Sequence, residues 1–446
     1  MIELRDYQKD IAHSGALTLL NHGLLCLFME VRTGKTVTAL AVAKGNGYKS
    51  VLFLTKKKAI ASIEADYKLL NPGYKLHITN FEQAGKLNSG DYDHIIVDEC
   101  HSFGAFPKPS QRTLAVRKLC IGKPVTFLSG TPSPESYSQL YHMLSLSQWS
   151  PFKQYTNFYK WANHFVNVKK KRIGGGMLIN DYSEANGDLI WKHIKHFCIM
   201  FTQEQAGFVA QVDEIVLDVE MSEEVKAIYR SLEKDKLYTR QIPISGREIN
   251  ATVNGGGDLI NKLAQISSGT LLFDEEQNGV IIDWSKAQFI VSYFIGKKIA
   301  IFYRYRAELE LLKAFFPNWT DSPETFNANT GLTFLGQIQS VREGVNLSTA
   351  DALVAYNIDF SATSYFQLKA RAQYKDRKGT APFYWIFSKH GIERKVYQAV
   401  INKTNFTYSY YRDHVRKQNT NQDQKRINQT RLDSIAASAG QQVGVS

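Results

Sequence analysis

Short apolar runs recur along the chain, each closed by small or polar residues and followed by a stretch with helical spacing. In the first third they are Leu24–Phe28, Ser50–Leu54, Leu76–Thr79, His94–Val97 and Val125–Leu128. In the second half they are Lys298–Tyr303, Gly336–Ser340, Ala352–Ile358 and Phe383–Phe387. Runs that stay apolar without alternating suit strands covered on both faces, so the pattern predicts α/β units with parallel sheets flanked by helices. Between the two groups the punctuation changes. Asp213–Asp218 reads as a strand, and Met221–Leu237 as a helix opened by Ser222, Glu223 and Glu224. Gly255–Gly257 breaks the pattern and Leu259–Ser267 resumes a helix.

From Tyr137 to about Ala206 the spacing is helical and aromatic, with Trp149, Phe152, Tyr155, Phe158, Tyr159, Trp161 and Phe165 expected mostly in a core. Inside it, Lys169, Lys170, Lys171 and Arg172 precede Gly174–Gly176, which predicts a basic hairpin or loop. From about Val415 the chain turns polar and Asn/Gln-rich, as in a flexible tail. The division expected is a first unit over 1–212 with its insertion at about 137–206, a linker and helical bridge over 213–285, a second unit over 286–414 and a tail over 415–446.

Composition adds a partner class. At 446 residues, 43% hydrophobic and 22% charged, the chain suffices for two or three cores. No apolar run approaches the roughly 18 residues of a membrane span, and MIELRDYQKD lacks a signal-peptide apolar region. A cytoplasmic protein with no membrane partner is expected. The net charge of +12 and pI near 9.2 favour a polyanion, most simply nucleic acid. Cys26, Cys100, Cys120 and Cys198 are too scattered for a zinc pattern or disulfide framework and read as packed thiols.

The chemistry collects at strand ends. Met29–Thr36, MEVRTGKT, joins a strand to a helix through Arg32, Thr33 and Gly34, a phosphate cradle although Met29 stands where a first glycine is usual. There Lys35 would reach β/γ oxygens and Thr36 would ligate Mg²⁺. Upstream, Gln8 in LRDYQ can read an adenine edge through its amide. After HIIV come Asp98 and Glu99, suited respectively to holding Mg²⁺ and polarising an attacking water. Ser129-Gly130-Thr131-Pro132 would bring hydroxyls to that acidic pair. Thr55, Lys56 and Lys57, then Thr79 and Asn80, sit where an open sheet binds ligands and are candidates for a nucleic-acid backbone, as is the Lys169–Arg172 stretch.

The phosphate loop, DECH and SGTP, in that order, resemble motifs I, II and III of the superfamily 2 helicases and translocases. IYRSLEKD followed by KLAQISSG is similar to the Swi/Snf-like branch. Lys298–Tyr303 matches motif IV in position, and VREGVNL resembles motif V with Gly344 and Asn346. In YFQLKARAQYKDR, Gln367 and Arg371 fit motif VI; Tyr374 takes the place of its second arginine, leaving Arg377 or Lys375 to replace it. The resemblance covers roughly 1–400 and looks closest to compact helicases of bacteriophage replication modules. It implies two tandem RecA-like domains with ATP and Mg²⁺ in the cleft between them. Lys35, Thr36, Asp98 and Glu99 would act from one side, and Arg371 with Arg377 from the other. The implied partners are DNA (single-stranded, duplex or forked), with RNA open, and replication proteins in a bacterial host cytoplasm. Three activities stay open: a strand-separating helicase, a duplex translocase without unwinding, and a nucleotide-gated clamp with little turnover.

Overall fold

The computed structural model describes residues 3–172, 177–207, 212–241, 248–274, 279–340, 346–369 and 382–401. The first lobe runs α1 (Asp6–His22), β1 (Leu24–Met29), α2 (Lys35–Gly45), β2 (Ser50–Thr55), α3 (Ile60–Leu70), β3 (Lys75–Asn80), β4 (His94–Val97), α4 (Gln111–Cys120) and β5 (Val125–Ser129). It continues through α5 (Gln139–Leu144), α6 (Phe158–Phe165), an antiparallel hairpin β6 (Lys169–Arg172) and β7 (Leu178–Asp181), α7 (Gly187–Ile194) and β8 (Cys198–Phe201). Its six-stranded sheet has the order β3-β2-β4-β5-β1-β8, all pairs parallel. The unbroken apolar character of β1 has a direct cause. Leu24, Cys26 and Phe28 enter the core on one face of the sheet, and Leu25, Leu27 and Met29 the core on the other.

One element departs from the helical spacing expected up to about Ala206. Cys198–Phe201 is a strand, paired from Cys26↔Cys198 to Met29↔Phe201. Four residues carry too little periodicity to mark a strand; pairing beside β1 decides the conformation. Of the aromatics before it, Phe152, Phe158, Trp161 and Phe165 are buried, whereas Tyr159 is 44% exposed.

The second lobe begins at β9 (Glu214–Val219), followed by α8 (Glu223–Asp235), the β10 (Leu237–Gln241) and β11 (Glu248–Thr252) hairpin, α9 (Gly256–Ser267), and the short pair β12 (Thr270–Leu271) and β13 (Val280–Ile281). Then come α10 (Ser285–Tyr293), β14 (Ile299–Tyr303), α11 (Arg306–Phe315), β15 (Trp319–Thr320), α12 (Pro323–Ala328), β16 (Thr333–Gln337), β17 (Ala352–Ala355), α13 (Ala362–Lys369), β18 (Phe383–Ser388) and a helix over 393–401. The sheet order is β15-β16-β14-β17-β18-β9, again parallel. These are two RecA-like domains. The strand expected over Asp213–Asp218, within the 213–285 linker and bridge, is β9, which pairs with β18 along its whole length, from Phe383↔Glu214 to Ser388↔Val219. The bridge is α8 against α9, with Val225, Ile228 and Leu232 packed with Leu263 and Ile266; the Ser222 hydroxyl caps α8 by accepting from Val225 N at 3.3 Å. Among the described residues no helix is long and apolar enough to cross a membrane. The expected tail over 415–446 and Gly174–Gly176 lie outside the described residues.

Candidate nucleotide-binding site

The buried strand β1 delivers its end into a loop that turns twice through left-handed backbone, at Arg32 (φ 67°) and Gly34 (φ 82°). Gly34 has two reasons to be glycine. Its φ disfavours any side chain, and a Cβ there would lie 2.1 Å from Gln8 Nε2. Helix α2 starts at Lys35 with no acidic residue in its first turn and no side-chain cap, which leaves its leading N–H groups for an external acceptor. The Lys35 ammonium donates to the carbonyls of Met29 (2.8 Å) and Glu30 (3.3 Å). Burial lowers its pKa, while Glu99, Asp98 and Glu30 oppose that shift. These are the donors a polyphosphate needs.

The loop is clamped from two sides. Thr33, fully buried, donates to Glu30 O at 2.7 Å, and its own carbonyl accepts from Tyr7 OH (3.1 Å) and Gln8 Nε2 (3.4 Å). The other end of the Gln8 amide accepts from Arg5 N at 2.9 Å, so this side chain ties the start of α1 to the loop. On the far side Gln203 N donates to Glu30 Oε2 (2.8 Å), Gln203 Nε2 to Val31 O (2.9 Å) and Glu30 N to Phe201 O (2.9 Å). Tyr7 stacks on Phe201 with ring centroids 4.7 Å apart. Glu30, Gln203 and Tyr7 have no signature in the sequence, since their role depends on β8 lying beside β1.

The acidic pair stands at the end of β4, with Glu99 itself in left-handed backbone (φ 45°). The Thr55 hydroxyl donates to Asp98 Oδ2 at 2.9 Å. Glu99 Oε2 lies 3.1 Å from His101 Nδ1, which is also 3.2 Å from Ser129 Oγ. Thus Ser129 meets the pair through His101, and the hydroxyl on Asp98 comes from Thr55. Burial and the adjacent Glu99 push Asp98 up to about 6, against the hydrogen bond from Thr55 and the charge of Lys35. Burial alone would raise Glu99 as well, but the hydrogen bond and charge of His101, with Lys56 and Lys35, bring it down to about 2.

Mg²⁺ fits this donor set in one way. No group of three or more His, Cys, Asp or Glu side chains is gathered for a metal among the described residues. An ion here would take Asp98 and Thr36, with phosphate oxygens and water completing an oxygen shell.

The expected nucleic-acid residues separate. Thr55 is fully buried and turned to Asp98, and Lys56 adds its charge to that felt by Glu99. Lys57 is exposed, and neighbouring Lys58 donates to Ser340 O of the second lobe at 3.3 Å. Thr79 is half-buried, while Asn80 Oδ1 accepts from Gln83 N at 3.2 Å to cap the turn over Phe81–Lys86. Lys169, Lys170, Lys171 and Arg172 are all exposed on β6, Lys169 pairing with Glu184 at 2.5 Å. Asn346 is exposed, its Oδ1 accepting from Ser348 N at 3.0 Å. Gln367 lies in α13. Gly344, Arg371, Lys375 and Arg377 lie outside the described residues.

The SNF2-related domain matches residues 25–267, more than half of the chain, from β1 to the end of α9. Proteins with this domain are ATPases that use ATP with Mg²⁺ and act on nucleic acids. No curated protein matches the chain in sequence.

Proposed function

The chain belongs to the SNF2-related family, and from that premise we propose an ATP-driven DNA motor that hydrolyses ATP between its lobes and moves along or remodels DNA. One observation carries this reading. The Asp98–Glu99 pair is joined to the phosphate loop by the charge of Lys35 and to the Ser129 turn by His101. The N–H groups of α2 and the Lys35 ammonium bind the β- and γ-phosphates. Mg²⁺, when held by Thr36 and Asp98, neutralises phosphate charge. Glu99 stays anionic and takes a hydrogen bond from the attacking water, which orients it. By the family resemblance, Gly344 and Asn346 would serve the nucleotide from the second lobe, and Arg371, with Arg377 or Lys375, would meet the charge that develops on the γ-phosphate. Losing that bridge after hydrolysis reopens the cleft, which is the mechanical step.

DNA runs over the C-terminal ends of β2 and β3, near Lys57, Thr79 and Asn80, with a second contact at the Lys169–Arg172 strand. Contacts of this kind imply strong salt dependence and little sequence preference. The family match favours duplex translocation as the mode, with unwinding as the alternative; the complete acidic pair argues against a clamp with little turnover. The setting proposed is bacteriophage DNA replication or recombination, beside replication proteins in the host cytoplasm. What supports it is a motor core bearing little beyond the β6–β7 hairpin and bridge among the described residues.

The test is the ATPase rate with no polymer, single-stranded, duplex and forked DNA, and RNA, alongside strand displacement. Stimulation by duplex without displacement is expected. No stimulation by any polymer overturns the motor reading. Lys35→Ala and Glu99→Gln should each abolish turnover and leave the fold intact; full activity in either overturns the site assignment.

A further inference from the structure

A cleft of about 240 Å³ opens between α4, α5, the start of α6 and the turn at Pro107–Pro109. The turn and α4 follow β4, and α5 follows β5, so these walls start from the sheet edge at which open α/β folds bind ligands. Its buried lining is aromatic. Phe158 is 2% exposed, with the His142 ring stacked on it and Tyr141 edge-on, both at 5.7 Å between centroids. The polar atoms of these neighbours are already bonded: His142 Nε2 donates to Pro107 O at 3.0 Å, and Tyr141 OH to Tyr155 O at 3.0 Å. They offer ring surface rather than hydrogen bonds. The mouth differs. There Tyr159 and Leu114, 44% and 38% exposed, accompany Lys108 and Arg117, two exposed cations with no ion pair among the described residues. No carboxylate lines the cleft among the described residues.

Rings beneath unpaired cations suit a planar group that carries negative charge. The place of the cleft in the fold says which. On one side α4 packs on the turn over Phe81–Lys86 that follows Asn80, where the Arg112 guanidinium lies 5.6 Å from the Phe81 ring and 3.7 Å from the Glu82 carboxylate. On the other side Tyr182, the residue after β7, packs edge-on against Phe158 at 5.3 Å and Tyr159 at 5.9 Å. The cleft therefore lies between the two places at which DNA contacts are proposed, the end of β3 and the β6–β7 hairpin. It is smaller than the roughly 300–1,000 Å³ of pockets for drug-sized ligands, which suits a single base better than a length of peptide.

We propose that this cleft holds one unpaired nucleotide of a DNA strand, its base stacked on Tyr159 and its phosphates met by Arg117 and Lys108; this rests on DNA being the partner, as proposed above, and not on hydrolysis. Stacking reads no particular base, so the site favours single-stranded and forked DNA over continuous duplex without choosing a sequence. The test is fluorescence anisotropy of the full chain with labelled oligo(dT) and with a blunt duplex, together with a 2-aminopurine base placed in the single strand as a stacking reporter. Tyr159→Ala should weaken oligo(dT) binding roughly 5- to 150-fold and abolish the 2-aminopurine quenching, while Tyr159→Phe keeps both within about twofold of wild type. Arg117→Ser should lower the slope of log affinity against log salt on oligo(dT) by about 0.7. Affinities for duplex and for a fluorescent ATP analogue should stay within about twofold in each variant, which shows the fold intact. Unchanged oligo(dT) binding and quenching in Tyr159→Ala, or duplex affinity falling in step with them, overturns the proposal. So does an acidic peptide ending in phenylalanine that needs Tyr159 to bind yet does not compete with oligo(dT), since the cleft then belongs to a protein partner. A wild type that binds no DNA ends this proposal and the motor reading together. Duplex-stimulated turnover with normal oligo(dT) binding in Tyr159→Ala ends this one alone, and Tyr159-dependent binding in a chain without turnover ends only the motor reading.

Discussion

His101→Ala tests whether the acidic pair is tuned or merely placed. In the intact site the His101 and Glu99 side chains are 11% and 17% exposed and 3.1 Å apart, so their interaction is little screened by solvent. Glu99 at about 2 lies well below the ordinary 4.5, a gap equivalent to about 3 kcal/mol between its two protonation states. The sign follows. A carboxyl with so low a pKa is ionised throughout the neutral and mildly acid range, so wild-type turnover draws no acid limb from Glu99 above about pH 5. Without His101 the burial penalty faces only Lys56 and Lys35, and the pKa climbs toward or past its ordinary value. Steady-state ATPase rates at saturating ATP and DNA, from pH 8 to pH 5, should then show the ratio of mutant to wild-type kcat falling as pH drops. Because Asp98 titrates together with Glu99, the ratio is compared over the pH range in which the wild-type rate stays flat. Near pH 8 the two rates should agree within a few-fold. His101→Asn, which keeps a hydrogen bond without the charge, should lie between them. A mutant-to-wild-type ratio that stays constant with pH refutes the tuning.

Gly34→Ala places a Cβ 2.1 Å from Gln8 Nε2 at a φ of +82°. Left-handed strain of about 1 kcal/mol and about as much again from disturbed Gln8 hydrogen bonds predict roughly 30-fold weaker binding of a fluorescent ATP analogue, and an unchanged Kd contradicts this. His94 is buried, stacked on Tyr48, and held down to about 4 chiefly by burial. The unfolded chain protonates it near 6.5, so stability falls by about 3 kcal/mol as pH drops through the window from 6.5 to 4. His94→Gln should flatten that fall, read as the difference in urea midpoint between pH 7 and pH 5; an equal fall in both proteins excludes His94 as its source. Changing Lys169, Lys170, Lys171 and Arg172 together to serine should reduce the slope of log affinity against log salt by about 0.7 to 0.9 per lost phosphate contact. An unchanged slope means that the strand is simply solvated.

What could be read from sequence was whatever a short window contains. β1 was legible because both faces are covered, which forbids polar residues along it, and the GKT that follows has its meaning within three positions. Asp98 and Glu99 were legible for the same reason, being a strand end and two carboxylates in one stretch. Thr55 was visible as a polar strand end, but not which neighbour it would bond, because Asp98 reaches it only through the β2–β4 pairing. β8 was missed, and with it Gln203. In sequence Glu214 is one more acidic residue at the start of a strand, since its partners lie more than 150 residues away in the chain. A lone polar side chain acquires a role only from contacts that local spacing does not encode.

The sheet order explains why motifs far apart in the chain meet. In sequence the strands run β1, β4, β5, but in space β5 lies between the other two. The turn after β5 is thus a divider between the phosphate loop and the acidic pair, and it touches both. A Cβ on Gly130 would lie 3.5 Å from Lys35 Nζ, while Ser129, one residue earlier, contacts His101. Two of the outer loops hold non-glycine residues in left-handed backbone, Arg32 after β1 and Glu99 after β4. Such conformations cost about a kcal/mol or more each and persist only where the surroundings leave no alternative. Here β1, β4 and β5 are buried along their entire lengths, so the strand ends cannot shift to relieve either loop. The precision of the nucleotide site thus originates in the apolar core beneath it, and a cavity made under β5, as by Phe127→Ala, should loosen both loops at once, read as faster amide exchange in each.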